Sequence, residues 1–294
     1  MLLTPDGRLE WPNTLHVWLI QGTALSAGVL GLIGYVGRHQ IASRLEKKTP
    51  TAQAALLLGV LVFIEMLLGL AFWLTSEHPG FSDWGYLYNL FHLDLEFNVP
   101  AFFSVAQFWF GAALAIRCFR RSRMFGDNSR QDAIAWISAA AVMILLGLDE
   151  LLSIHEDAEI LLVATGIVGP NFDHRLGGYG WAWTLVGLPV ALVCGAWFLW
   201  RFYAVFRYRK PLLLLLLIAG VVFLIGSVFM ENLQVYFRHR YGLAKSPKIL
   251  LLIEELLEMF GVSLAIYVFF LHGCQLGRAS YDNPSSAAAS PVKR

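Results

Sequence analysis

The fold class that this sequence predicts is all-α: a polytopic transmembrane helical bundle of about seven spans, with its N-terminus outside and its C-terminus inside. Three observations predict it. Hydrophobic residues make up 57% of the 294 residues and charged residues only 15%, whereas a soluble domain is nearer half apolar and a quarter charged. Apolar stretches long enough, or almost long enough, to cross a hydrocarbon layer recur along the chain; a crossing takes about 20 residues. The segments between those stretches carry their basic residues very unequally, which is the mark of a fixed orientation in a bilayer.

The stretches are residues 15–36, 52–75, 99–116, 133–148, 181–200, 212–230 and 249–271. In lipid only helices and closed barrels satisfy the backbone, and these runs lack the alternation of a barrel strand, so each is predicted to be a helix. The fourth is short unless it continues through Asp149 and Glu150. Residues 160–169 are apolar but too few to span, and read as a re-entrant or interfacial piece. Residues 1–12 carry Asp6, Arg8 and Glu10 and lack the positive region of a signal peptide, so the run from Leu15 reads as a retained span. The domain expectation is a bundle over residues 1–278 and a disordered cytoplasmic tail, rich in Ser, Ala and Pro, over 279–294.

Orientation follows from Lys and Arg. Residues 38–50, 117–132, 201–210 and the C-terminal residues from Arg278 onward together hold sixteen of the twenty-two. Those segments are expected to face the cytoplasm. The opposite side holds Arg8, Arg175 and the group Arg238, Arg240, Lys245 and Lys248, which runs against the rule. Trp73, Trp181 and Trp183 fit an outer aromatic belt, and Trp136, Trp197 and Trp200 an inner one. The expected location is a bacterial cytoplasmic (inner) membrane.

Net charge is +1 and no basic block is long enough for a nucleic-acid footprint, so no nucleic-acid partner is expected. Cys118, Cys194 and Cys274 are scattered without a CxxC spacing, which argues against a zinc ribbon, a redox pair or a disulfide framework.

The acidic residues carry the functional signal. Only Glu46, Asp127, Asp132 and Asp282 of the twenty-one fall on the basic side; the other seventeen lie outside or within the membrane. At about 1.5 Å per helical residue, Glu65 and Glu258 reach similar depths. Glu254 and Glu255 stand about one turn above Glu258, Asp149 and Glu150 close the fourth span, and Glu231 closes the sixth. His92, Asp94, Glu96, His155 and Glu156 are placed at the rim. Ionisable groups inside spans are costly and are functional hypotheses by default. Asp149, Ser153 and Glu156 share one helical face, and Glu258 is within a turn of Glu254 and Glu255. Packed carboxylates repel one another and cannot all stay ionised unless protons, loop cations or a metal neutralise them. Carboxylate with imidazole and without thiolate suits Zn, Fe, Mn or Ca.

Glu65, Glu150, His155, Glu156, Glu231, Glu255 and Glu258 are therefore the candidate ligands of a divalent transition metal (Fe, Zn or Mn), with Glu65 either a ligand or a proton-handling group. His92 and Glu96 can point into the same site. The competing reading of Glu254, Glu255 and Glu258 is a structural network with Arg238, Arg240, Lys245 or Lys248. For Asp149, Glu150 and Glu156 it is a helix end dipping into solvent. Ser227, Glu231 and Gln234 form a polar stripe that can equally be helix-packing glue. His16 and His272, at helix ends, read as interfacial.

The chain is similar to uncharacterised bacterial multipass membrane proteins that share two patches, Asp149-Glu150 with His155-Glu156, and Glu254-Glu255 with Glu258-Met259 and Gly261. That resemblance implies no activity. Other families are set aside on their own residues. Residues 249–271 have no lysine for a retinal Schiff base, and no HxxxH pair of the seven-span ceramidase and progestin-receptor superfamily. The expected function is thus an outward-facing, carboxylate- and histidine-rich intramembrane metal site. If catalytic, its metal acts on a lipid or another membrane-soluble substrate. The alternatives are a proton- or cation-coupled transporter, which needs a polar route to the inner side, and an accessory subunit among other membrane subunits.

Overall fold

The computed structural model describes residues 2–3, 9–10, 49–77, 85–93, 95, 97–125, 129–152, 154, 165, 181–241 and 247–282. Eight α-helices carry the described chain: α1 (Pro50–Glu77), α2 (Gly85–Phe91), α3 (Val99–Phe125), α4 (Ser129–Leu152), α5 (Trp181–Phe206), α6 (Lys210–Leu224), α7 (Glu231–Tyr241) and α8 (Lys248–Asp282). A π-helical turn, Ile225–Met230, joins α6 to α7. Near the N-terminus two strands of two residues each pair antiparallel, Leu2 opposite Glu10 and Leu3 opposite Leu9. The expected first span, residues 15–36, lies outside the described residues, as does the short apolar piece 160–169 apart from Thr165.

Five described segments are long and apolar enough to cross a membrane: Pro50–Ser76, Val99–Met124, Asp132–Leu152, Gly187–Phe206 and Lys210–Arg238. This is a helical membrane protein, in contact with lipid. Its outer faces carry what lipid requires: Phe63, Met66 and Leu70 on α1 are more than half exposed, as are Val190 and Val193 on α5. Several elements outrun their expected bounds. The fourth does continue through Asp149 and Glu150. The third runs on through Arg117–Arg123, because arginine is a good helix former once outside the hydrocarbon. Likewise α8 extends to Asp282.

α8 is the axis of the bundle. It packs against α1, α3, α6 and the π turn, and from Met259 to Leu271 nearly all of its residues are buried. One face meets α6 at very close range. A Cβ built on Gly261 falls 2.8 Å from the Phe223 nitrogen and 3.0 Å from the Ala219 carbonyl oxygen. Small residues let helix backbones approach this closely where no hydrophobic effect drives association. Another face meets α1, where Gly69 receives Leu252 and Leu256.

The ends of the helices are tied in a consistent sense. Lys248 Nζ at the start of α8 donates to the Ser76 carbonyl at the end of α1, 2.5 Å away. At the other end Cys274 lies 3.8 Å from Gln53 Oε1, Arg121 donates to the Gly273 carbonyl, and Arg209 Nη1 donates to Gln275 Oε1 at 2.5 Å. Asn98 caps α3, its Oδ1 accepting from the Ala101 N–H at 3.1 Å. Arg121 and Arg209 thus gather at the C-terminal end of α8, as the alternation of basic segments along the sequence requires.

Near that basic end Trp136 is fully buried. Its ring centroid lies 5.0 Å from Phe202, 5.2 Å from Phe269 and 6.1 Å from Phe206. His272 stacks on it at 5.2 Å and meets Phe206 edge-on at 5.1 Å. Two expectations are corrected here. Trp136 is a core residue and not part of a lipid-facing belt, and His272 is a core residue and not an interfacial one. Spacing from the span ends misplaces both, because aromatic side chains of α4, α5 and α8 meet at the basic end of the bundle. Trp197 and Trp200 are exposed, as a belt requires, and both lie under the Arg201 guanidinium.

Candidate functional site

At the opposite end of the bundle, α4, the π turn, α7 and α8 converge. α8 contributes Glu254, buried, with Glu255 and Glu258 partly buried. The carboxylates of Glu150, Glu254, Glu231 and Asp149 all lie within electrostatic reach of Glu258. They come from the end of α4, the start of α7 and the preceding turn of α8. The helical spacing predicts a convergence from four spans with Glu65 among them; the group around Glu258 draws on α4, α7 and α8 and leaves Glu65 out.

The π turn positions the site. Its Gly226 sits directly against α8: a Cβ there would fall 2.7 Å from Glu258 Cγ and 3.0 Å from the Glu254 carbonyl oxygen. A single-turn π segment inside a helix is an insertion that widens the helix, and is frequent at functional sites. Its loosened backbone is satisfied locally. The Val228 carbonyl accepts from the Glu231 N–H and from Asn232 Nδ2 at 2.6 Å, and Ser227 Oγ donates to the Phe223 carbonyl at 3.0 Å. The widened turn swings α7 so that Gln234, buried, donates to Glu254 Oε2. The polar stripe is therefore both packing glue and part of the acidic site: Gln234 bridges helices, and Glu231 faces Glu258.

Glu65 does not join this group. It is fully buried and bonded elsewhere: Ser263 Oγ donates to its Oε1 at 2.6 Å, and Gln107 Nε2 donates to the same oxygen at 2.9 Å. Ser263 is five residues beyond Glu258, about 140° round the helix at roughly 100° per residue. Glu65 thus meets a different face of α8, although its depth along the axis is similar. Depth was legible in sequence; the rotation of α1 about its own axis was not. The His92 ring packs edge-on against Phe72 at 5.3 Å and Tyr88 at 4.7 Å. His155, Glu156, Asp94 and Glu96 lie outside the described residues. Among the described residues, no three His, Cys, Asp or Glu side chains are disposed to hold one metal ion.

Sequence reasoning missed Gly226, Gln107 and Ser263. Gly226 had a signal, a Gly-Ser pair in the middle of an otherwise apolar span four residues before Glu231. Gln107 and Ser263 had weaker ones, as single polar residues in apolar runs. Residues 54–273 match the family described as Domain of unknown function (DUF8692). The chain belongs to that family. The matched DUF8692 region contains every element of the acidic site and of the Glu65 group, from α1 to the inner turns of α8. No curated protein and no solved structure matches the chain.

Proposed function

We propose that this DUF8692 protein binds a divalent transition metal, Fe, Zn or Mn, at the carboxylate cluster where α4, α7 and α8 meet. The observation that carries the reading is that carboxylates on α4, α7 and α8 lie within electrostatic reach of Glu258, beside a π turn whose Gly226 leaves no room for a side chain. Glu258 is the centre of the proposed ligand set, and Glu150, Glu231 and Glu255, which are not disposed around one ion as they stand, turn toward it when the metal binds. His155 and Glu156, the remaining candidate ligands from the sequence, lie outside the described residues. Carboxylate with imidazole selects Fe, Zn or Mn over softer ions. A metal there polarises a bond or activates water or oxygen. The substrate class that reaches such a site is a lipid or another membrane-soluble molecule, entering past Ile225 and Phe229, which stand exposed beside the cluster.

Chelation tests the reading. A site loaded at a hundred times its Kd adds about 2.7 kcal/mol to stability. Stripping the purified protein with a chelator should therefore lower its melting temperature by several degrees, and one of Fe, Zn or Mn should restore it. Indifference both to chelator and to added metal contradicts it.

The same proposal sets the cluster on the outside of a bacterial cytoplasmic membrane, with the C-terminus inside. The excess of Lys and Arg at the other end of the bundle supports this. A C-terminal reporter active only in the cytoplasm should be active. Activity there of a reporter that works only outside would invert the site into the cytoplasm and overturn the orientation.

A further inference from the structure

The junction of α1, α3 and α8 is a closed polar group in an apolar interior. Glu65, Gln107 and Ser263 are each at least 98% buried. Their hydrogen bonds form a triangle: Gln107 Nε2 and Ser263 Oγ both reach Glu65 Oε1, and Gln107 Nε2 lies 2.9 Å from Ser263 Oγ. Both donors thus serve one carboxylate oxygen. The other, Oε2, is buried without a partner, and so is Gln107 Oε1. The group contains two orphaned acceptors and no donor to spare. Leaving buried acceptors unmet costs about 1–3 kcal/mol each, and an ionised carboxylate at mid-bilayer costs more.

We propose that Glu65 is a proton-binding site, occupied at neutral pH, so that it stands in the bundle as a neutral carboxylic acid. One hydrogen on Oε2 removes the buried charge and turns an orphaned acceptor into the donor that the group lacks. Gln107 Oε1 is the acceptor in the same triangle that has lacked one. The groups bonded to Glu65 from α3 and α8, Gln107 and Ser263, do not ionise, so neither offers a counter-charge that would hold a carboxylate. The acidic cluster at Glu258 is on another face of α8, and the proposal is independent of any metal there.

The test is infrared spectroscopy of the intact protein in lipid, with the melting temperature of variants beside it. At pH 7 the protein should show a carboxylic-acid C=O band that shifts in deuterated water. Glu65→Gln should abolish it, and Glu65→Asp should move it should the first variant give too little folded protein. An amide supplies a neutral acid's donor and acceptor without a charge, with one further N–H. Glu65→Gln should therefore keep the wild-type melting temperature and Glu65→Ala should lose several degrees. A spectrum in which neither variant alters an acid band at pH 7 overturns the proposal. So does a melting temperature that rises with added sodium in wild type but not in Glu65→Gln, which would make the group a cation site.

Discussion

Trp136→Ala should be the most destabilising truncation in the basic half of the bundle, by about 3–5 kcal/mol. The indole is fully buried and is the hub on which Phe202, Phe206, Phe269 and His272 pack, from α5 and α8. Aromatic pairs at such spacings add about 0.5–1.5 kcal/mol each beyond area burial, and the cavity left behind cannot collapse while three helices hold its walls. Trp136→Phe is the control. Nε1 has no hydrogen-bond partner, so removing it forfeits no bond, and the loss should be well below that of alanine. Melting temperatures in mild detergent check both. An alanine variant as stable as the phenylalanine variant would mean that Trp136 faces lipid, as its place in the sequence first indicates.

Trp136 marks where sequence reading ran out. Helix type and approximate bounds for the described spans were legible because an apolar run of about 20 residues leaves the backbone no other solution. The acidic end was legible too: Glu150, Glu231 and Glu258 were placed by depth alone, and depth follows from counting residues along a helix. Rotation about each helix axis was not legible. In lipid every face of a span is apolar, so the amphipathic stripe that orients a soluble helix is missing. The belt reading of Trp136 and the metal-ligand reading of Glu65 failed for that one reason; the other reading of Glu65, a proton-handling group, did not depend on it. The π turn was hidden as well, since nothing in Ile225–Met230 beyond Gly226 and Ser227 departs from an ordinary span. Gly261, by contrast, sat within a motif read from the sequence, and its role as the contact with Phe223 emerges only from the packing.

Glu258→Ala should remove the metal. The side chain is the one that the carboxylates of Glu150, Glu254, Glu231 and Asp149 all approach, and its Cγ lies against the bare Cα of Gly226. In the proposed metal site, truncating it deletes an oxygen pair offered to the ion, and it opens a gap beside the π turn. Even residues that only support a ligand typically cost 10–100-fold in metal affinity when changed, roughly, so a ligand in the centre of the cluster should cost at least about tenfold. The melting temperature should fall with the metal content, because binding to the folded state is stabilising. Glu65→Gln provides the contrast: it removes a carboxylate at similar depth on another face of α8, and should leave the metal in place.

The most direct measurement is the metal content per chain of protein purified in mild detergent without chelator, with Glu258→Ala and Glu65→Gln prepared in parallel. The account predicts close to one Fe, Zn or Mn per chain in the wild type and in Glu65→Gln, and a large loss in Glu258→Ala. A wild-type protein that is metal-free and takes up no added Fe, Zn or Mn would contradict it.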